Sequence, residues 1–227
     1  MKKVIALLVA MSTTAAFAGV DYASSYVFRG STVNDSAAIQ PSMDTSILGI
    51  DIGAWASYDT GADTFEEVDL AIGYDVTEIA GVSVSVGLCE YIYAGEELGG
   101  TESDTEASIY LDYSIAGVDL SAALNKVIDG GMADYTILGA SYGFDVSAGI
   151  SGAISYEVGD ADGTVPLAGV PTDVDGEVYS AVTISAETSL TDALDLGLAY
   201  TSISEGDSDG YVGDDDVLVV SISGDLF

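Results

Sequence analysis

Apolar residues recur at every second position in a series of short stretches along most of this chain. In one, Val68, Leu70, Ile72, Tyr74 and Val76 alternate with Glu67, Asp69, Ala71, Gly73 and Asp75. A second sets Val118, Leu120, Ala122 and Leu124 against Asp119, Ser121 and Asn125. In a third, Val146, Ala148, Ile150, Ile154, Tyr156 and Val158 face away from Ser147, Ser151, Ser155 and Glu157. A period of two separates the faces of a β-strand, whereas the 3.6 period of a helix would mix them. The pattern predicts strands over 20–29, 37–48, 50–58, 66–76, 81–93, 105–115, 118–126, 133–144, 146–158, 177–187, 193–203 and 216–227.

The connections predicted between these strands alternate in length. Turns at Leu48-Gly49, 77–80, Ala116-Gly117, Asp145 and 188–192 are short. Those at 30–36, 59–65, 94–104, 128–132, 159–176 and 204–215 are longer and mostly acidic. Apolar alternation in segments of about ten residues, with short and long connections in turn, is the mark of a membrane-spanning barrel. The expected fold is all-β: a single antiparallel up-and-down transmembrane β-barrel of about 12 strands, with short periplasmic turns and longer acidic outer loops. A two-sheet sandwich would also alternate, but would bury the apolar face that a barrel shows to lipid.

Ahead of the barrel, residues 1–18 read as a secretory signal peptide. Lys2 and Lys3 open it, an apolar run follows, and Ala16-Phe17-Ala18 offers a small-x-small cleavage site. The run is too short for a spanning helix, which needs about 20 apolar residues. The barrel is then expected to occupy 19–227, in the bacterial outer membrane, with outer-membrane lipid around it. Its last strand, ending at Phe227, would be read by the barrel-insertion machinery, although Phe227 is one step out of phase with Leu218, Val220, Ile222 and Leu226.

Charge changes the picture next. The chain has 38 acids against four bases, and Arg29 and Lys126 are the only bases beyond the leader. A surface so negative repels nucleic acid, which excludes that partner. Yet 48% of the residues are hydrophobic, which an outward apolar face on every strand explains. Cys89 is the only cysteine, so the chain forms no internal disulfide.

The segments Tyr22-Ala23-Ser24-Ser25-Tyr26-Val27-Phe28-Arg29-Gly30, Ile39-Gln40-Pro41-Ser42-Met43-Asp44 and Gly53-Ala54-Trp55-Ala56-Ser57 resemble the Gcw_chp family of bacterial envelope proteins. The resemblance implies an outer-membrane barrel and carries no activity with it.

The absence of histidine argues against an enzyme, because barrel hydrolases and acyltransferases generally rely on one as base or orienter. No catalytic residue and no cofactor are expected. Inward-phase acids, among them Asp44, Asp51, Glu67, Asp69 and Asp112, would instead make rings that favour cations. Arg29 is read as an inward base near the outer end of the first strand, close to Gln40, with Asp44 near the same constriction. Trp55 shares the inward phase with Tyr91, Tyr93, Tyr110, Tyr135 and Tyr179. The leading reading is a small cation-preferring, porin-like diffusion channel for small cations or small solutes. The alternative is a non-conducting structural or adhesive surface barrel, its acidic loops bridged by cations. Those loops hold D-x-D spacings at Asp160/Asp162, Asp173/Asp175 and Asp207/Asp209, candidates for weak Ca²⁺ on tight turns, though without the terminal Glu of a full calcium loop.

Overall fold

A computed structural model of the chain describes residues 16–93, 103–167, 170–206 and 215–225. Its strands are β1 (Ala16–Ala23), β2 (Tyr26–Phe28), β3 (Ser31–Asn34), β4 (Ala38–Ile47), β5 (Ile50–Asp59), β6 (Thr64–Ile79) and β7 (Val82–Tyr93). They continue with β8 (Ser103–Ile115), β9 (Val118–Asp129), β10 (Asp134–Ser147), β11 (Ile150–Leu167), β12 (Val170–Thr191), β13 (Leu194–Glu205) and β14 (Asp215–Asp225). Twelve of them form one closed antiparallel barrel in chain order, and β1 seals it by pairing with both β4 and β14. Closure leaves no strand edge unpaired within the wall, the condition for crossing lipid with strands. The remaining pair, β2 and β3, stands outside that wall as a separate two-stranded hairpin.

The outward phase is apolar and uncovered. Tyr22, Ile72, Tyr74, Leu138, Ile184, Leu198 and Tyr200 are each about half exposed although none is polar-faced. A continuous apolar exterior of this kind belongs against acyl chains. This is an outer-membrane barrel.

Three of the periplasmic turns are built alike. Leu48-Gly49, Ala80-Gly81 and Ala116-Gly117 all have positive φ at both positions, and each joins an Ile to an Ile or Val across the first pair of the ladder. Two left-handed residues give the twist that two strands need to continue as a hairpin. The turn expected at Asp145 lies instead at Ala148-Gly149, because Gly149 takes φ +82 without strain and a bulge between Asp145 and Ser147 restores the register. The loop expected over 159–176 is likewise mostly strand. β11 and β12 stay paired out to Leu167 opposite Val170, well past their pairing with β10 and β13, as a two-stranded ribbon.

The largest departure is at the first strand. It was expected to run to Arg29, but β1 stops at Ala23 and the chain bends at Ser24-Ser25. At its other end β1 extends to Ala16, three residues ahead of the expected mature start at Gly19, and Phe17 to Ala23 pair with both β4 and β14.

Candidate functional site

The β2–β3 hairpin turns into the barrel and fills its outer half. Its turn is Arg29-Gly30, both at positive φ, between Phe28 and Ser31. Gly30 is required twice over: its φ is +81, and a Cβ there would lie 2.5 Å from Cβ and Cγ of Tyr179 on β12.

The residues at the hairpin tip reach several strands of the wall. Tyr26 packs on Trp55 of β5, ring centroids 5.3 Å apart, and its hydroxyl donates to Glu67 of β6 at 2.7 Å. Phe28 meets Tyr91 of β7 edge-on at 5.6 Å. Arg29 crosses to β8, where both terminal nitrogens donate to Glu106, at 2.6 and 2.7 Å. Its guanidinium lies 4.6 Å from the ring centre of Tyr135 on β10 and 4.7 Å from that of Phe28. On the return arm Asn34 donates to Glu66, Thr32 to Asp215 and Ser36 to Asp59.

Both key groups keep their protonation state over any working pH. Burial opposes the charge of Arg29, but the hydrogen bonds and charge of Glu106 outweigh it and hold the guanidinium above its ordinary range. Burial, reinforced by the Glu67 carboxylate, likewise pushes the Tyr26 hydroxyl up and keeps it a neutral donor.

The seal runs round the whole wall. Ala23, Ala38, Ser57, Glu67, Tyr91, Glu106, Asn125, Tyr135, Ala161, Tyr179, Ile203 and Val217 are all buried, one from each of the twelve strands at this level. On the β10–β14 side the filling is apolar, through Val178, Ala181, Ile203 and Val217. On the β5–β9 side it is a polar network: Tyr91 also donates to Glu106, Ser108 to Asn125, and Tyr93 to Asp104.

Below the hairpin the lumen widens. Its inward positions there include Gly19, Gly53, Ala71, Gly73, Gly87, Gly139, Ala153 and Gly197 with many serines, beside Tyr110, so mostly short side chains leave a vestibule toward the periplasm. Asp44, Asp51 and Asp112 stand exposed in it.

Several expectations are therefore corrected. Arg29 belongs to the inserted hairpin, not to β1. Gln40 sits opposite Asp21 and reaches Ser57 at 3.4 Å, while Arg29 bonds to Glu106 and Tyr91. Asp44 lies near the periplasmic end, four residues before the Leu48 turn position, and not at the constriction. Phe28, expected like Arg29 on the first strand, is an interior residue of the hairpin. Glu67, Asp69 and Trp55 do face the constricted half; Glu106, Tyr91 and Tyr135 are the residues that complete it. Sequence reading did hold a signal for the hairpin: Arg29-Gly30 between two β-prone stretches, after a break in alternation at Ser24-Ser25.

Asp160 and Asp162 lie on extended β11, not in a turn, with Asp162 opposite Asp175 on β12 and Asp134 on β10. Asp173 stands opposite Thr164 in the ribbon, and Asp207, Asp209 and Phe227 lie outside the described residues. Among the described residues no three carboxylate, thiol or imidazole groups gather as a metal site.

The family model described as "Bacterial protein of unknown function (Gcw_chp)" matches residues 9–217. The chain belongs to this family. The match runs far beyond the N-terminal segments, and those segments acquire a physical meaning: Tyr26 to Gly30 form the hairpin tip, while Trp55 and Ser57 form part of its seat. No curated protein matches the chain. Among solved structures, the NanC porin superposes with a TM-score of 0.61 at 7% identity, covering 93% of this chain and 100% of that one. The KdgM porin gives 0.59 at 5% identity, over 93% and 99%. An outer membrane channel from Pseudomonas putida F1 gives 0.55 at 13% identity, over 94% and 96%. These likenesses establish a porin-like barrel as the fold of the Gcw_chp chain.

Proposed function

We propose that this Gcw_chp barrel is a small, cation-preferring diffusion channel of the outer membrane. One observation carries the reading: among the described residues, every charged side chain that the barrel strands turn inward is a carboxylate, from Asp21, Asp44 and Asp51 round to Glu187 and Asp195. In a narrow lumen with low-dielectric walls such groups raise the local cation concentration and exclude anions. The KdgM porin has been solved in complex with disordered oligogalacturonate. A polyanion of that kind would meet a lumen of like sign here, so the fold does not bring that solute with it.

A second reading has its own support. The ring of buried residues around the hairpin, one from each strand, favours a barrel shut at its outer half. If permanently shut, it would serve as a structural or adhesive envelope component.

Conductance of the folded, inserted protein in a planar bilayer separates the two. Discrete steps, with a reversal potential favouring K⁺ under a KCl gradient, support the channel, and Asp44→Asn should weaken that preference. Silence from inserted protein, with the hairpin present and with it deleted, would overturn the channel and favour the second reading.

A further inference from the structure

Glu106 is the most buried charged group described, with 1% of its side chain exposed, and it sits on the barrel wall. A carboxylate so placed requires a cation; unpaired, it would lose far more solvation than the wall could return. Among the described residues only Arg29 supplies the positive charge, and it comes from the hairpin that leaves β1 at the Ser24-Ser25 bend, not from the wall.

The rest of the pocket is built without the hairpin. Tyr91 from β7 donates to Glu106 at 3.1 Å, and Ser108 of β8 gives its one hydroxyl proton to Asn125 of β9 at 2.8 Å, with its oxygen 3.3 Å from the Glu106 carboxylate. Tyr135 of β10 offers its ring face, and Asp69 on β6 carries a buried oxygen, Oδ1, with no hydrogen-bond partner. Adjacent strands thus present a carboxylate fork and a phenol, joined by their own hydrogen bond, together with an aromatic face. Fork and ring together fit a planar guanidinium, and less fully an alkylammonium.

We propose that this wall pocket is a binding subsite for small guanidinium or alkylammonium cations, and that Arg29 is its tethered occupant. The cations would arrive through the lumen, so their route rests on the channel reading. The pocket itself does not. A solute of this class exchanges with Arg29 on Glu106 charge for charge, so the hairpin leaves its seat without stranding a buried carboxylate. Sodium or potassium would compete poorly, since neither matches the fork nor stacks on Tyr135.

Methylguanidinium chloride is the probe, titrated into purified, folded barrel in micelles at constant ionic strength made up with NaCl. Thermal unfolding is the readout. Arg29→Ala empties the pocket, and its unfolding temperature should rise saturably with the probe. Arg29→Ala/Glu106→Gln should bind at least about tenfold more weakly, the loss expected for a charge-assisted hydrogen-bonding partner. Arg29→Gln provides the same test if Arg29→Ala does not fold. Equal shifts in the single and double variants, or no saturable shift in either single variant, would overturn the subsite. Bilayer recordings of the same variants judge the channel separately. Saturable binding with electrical silence would keep the subsite and overturn the route.

Discussion

Gly30→Ala is the sharpest probe of the inserted hairpin. The new methyl would lie 2.5 Å from Cβ and Cγ of Tyr179, the rigid base of a side chain that is itself 2% exposed and cannot swing aside. Relieving such an overlap costs about 1–3 kcal/mol. Holding alanine at the left-handed φ of the turn adds about 1–2 kcal/mol. Together these bias the seated hairpin by about 2–5 kcal/mol, a shift of roughly 30- to several-thousand-fold toward the released state. The chain provides its own reporter, because Trp55 is its single tryptophan and packs at a tilt against Tyr26 of the hairpin. Release should move Trp55 emission to the red and raise its quenching by acrylamide, a neutral quencher that the acidic lumen does not repel. Gly49→Ala is the matched control. Its φ is +79 but nothing lies within 4 Å of the added methyl, so it carries the backbone cost alone, at the opposite end of the barrel. If Gly30→Ala leaves Trp55 as shielded as Gly49→Ala does, the hairpin is not seated as described.

Two further outcomes test the wall. Leu48, Ala80 and Ala116 hold positive φ in periplasmic turns where asparagine is favoured, so Leu48→Asn, Ala80→Asn and Ala116→Asn should each stabilise the barrel by about 0.5–1 kcal/mol. The urea unfolding midpoint in lipid vesicles measures this, and a fall at all three sites would contradict the turn assignment. Ile72 and Ala71 are adjacent on β6 and face opposite ways, so Ile72→Arg should cost about 2–4 kcal/mol against lipid and Ala71→Arg considerably less. Equal costs would mean that the inward and outward phases are misassigned.

The sequence by itself determined the barrel. Strand alternation is a local property, set by which side of the backbone successive residues point to, and lipid outside with water inside writes it into every strand. That is why Glu67, Asp69 and Trp55 could be assigned to the lumen, and why the count of twelve strands matches the closed sheet. Local turn chemistry was legible too, in Leu48-Gly49 and Ala116-Gly117. Where two local signals competed, as at Asp145 against Ala148-Gly149, alternation alone chose the wrong turn.

Tertiary structure alone decided what lies inside. Arg29 and Glu106 are 77 residues apart, and no periodicity relates them. They meet because closing twelve strands makes a cavity whose outer half offers a buried carboxylate, and the nearest free chain end of the wall, after Ala23, folds inward to neutralise it. Extended along β1, Tyr26-Val27-Phe28-Arg29-Gly30 would satisfy alternation equally well. Only the closed barrel supplies the seat formed by Trp55, Tyr91, Tyr135 and Tyr179 that makes the hairpin the more stable choice.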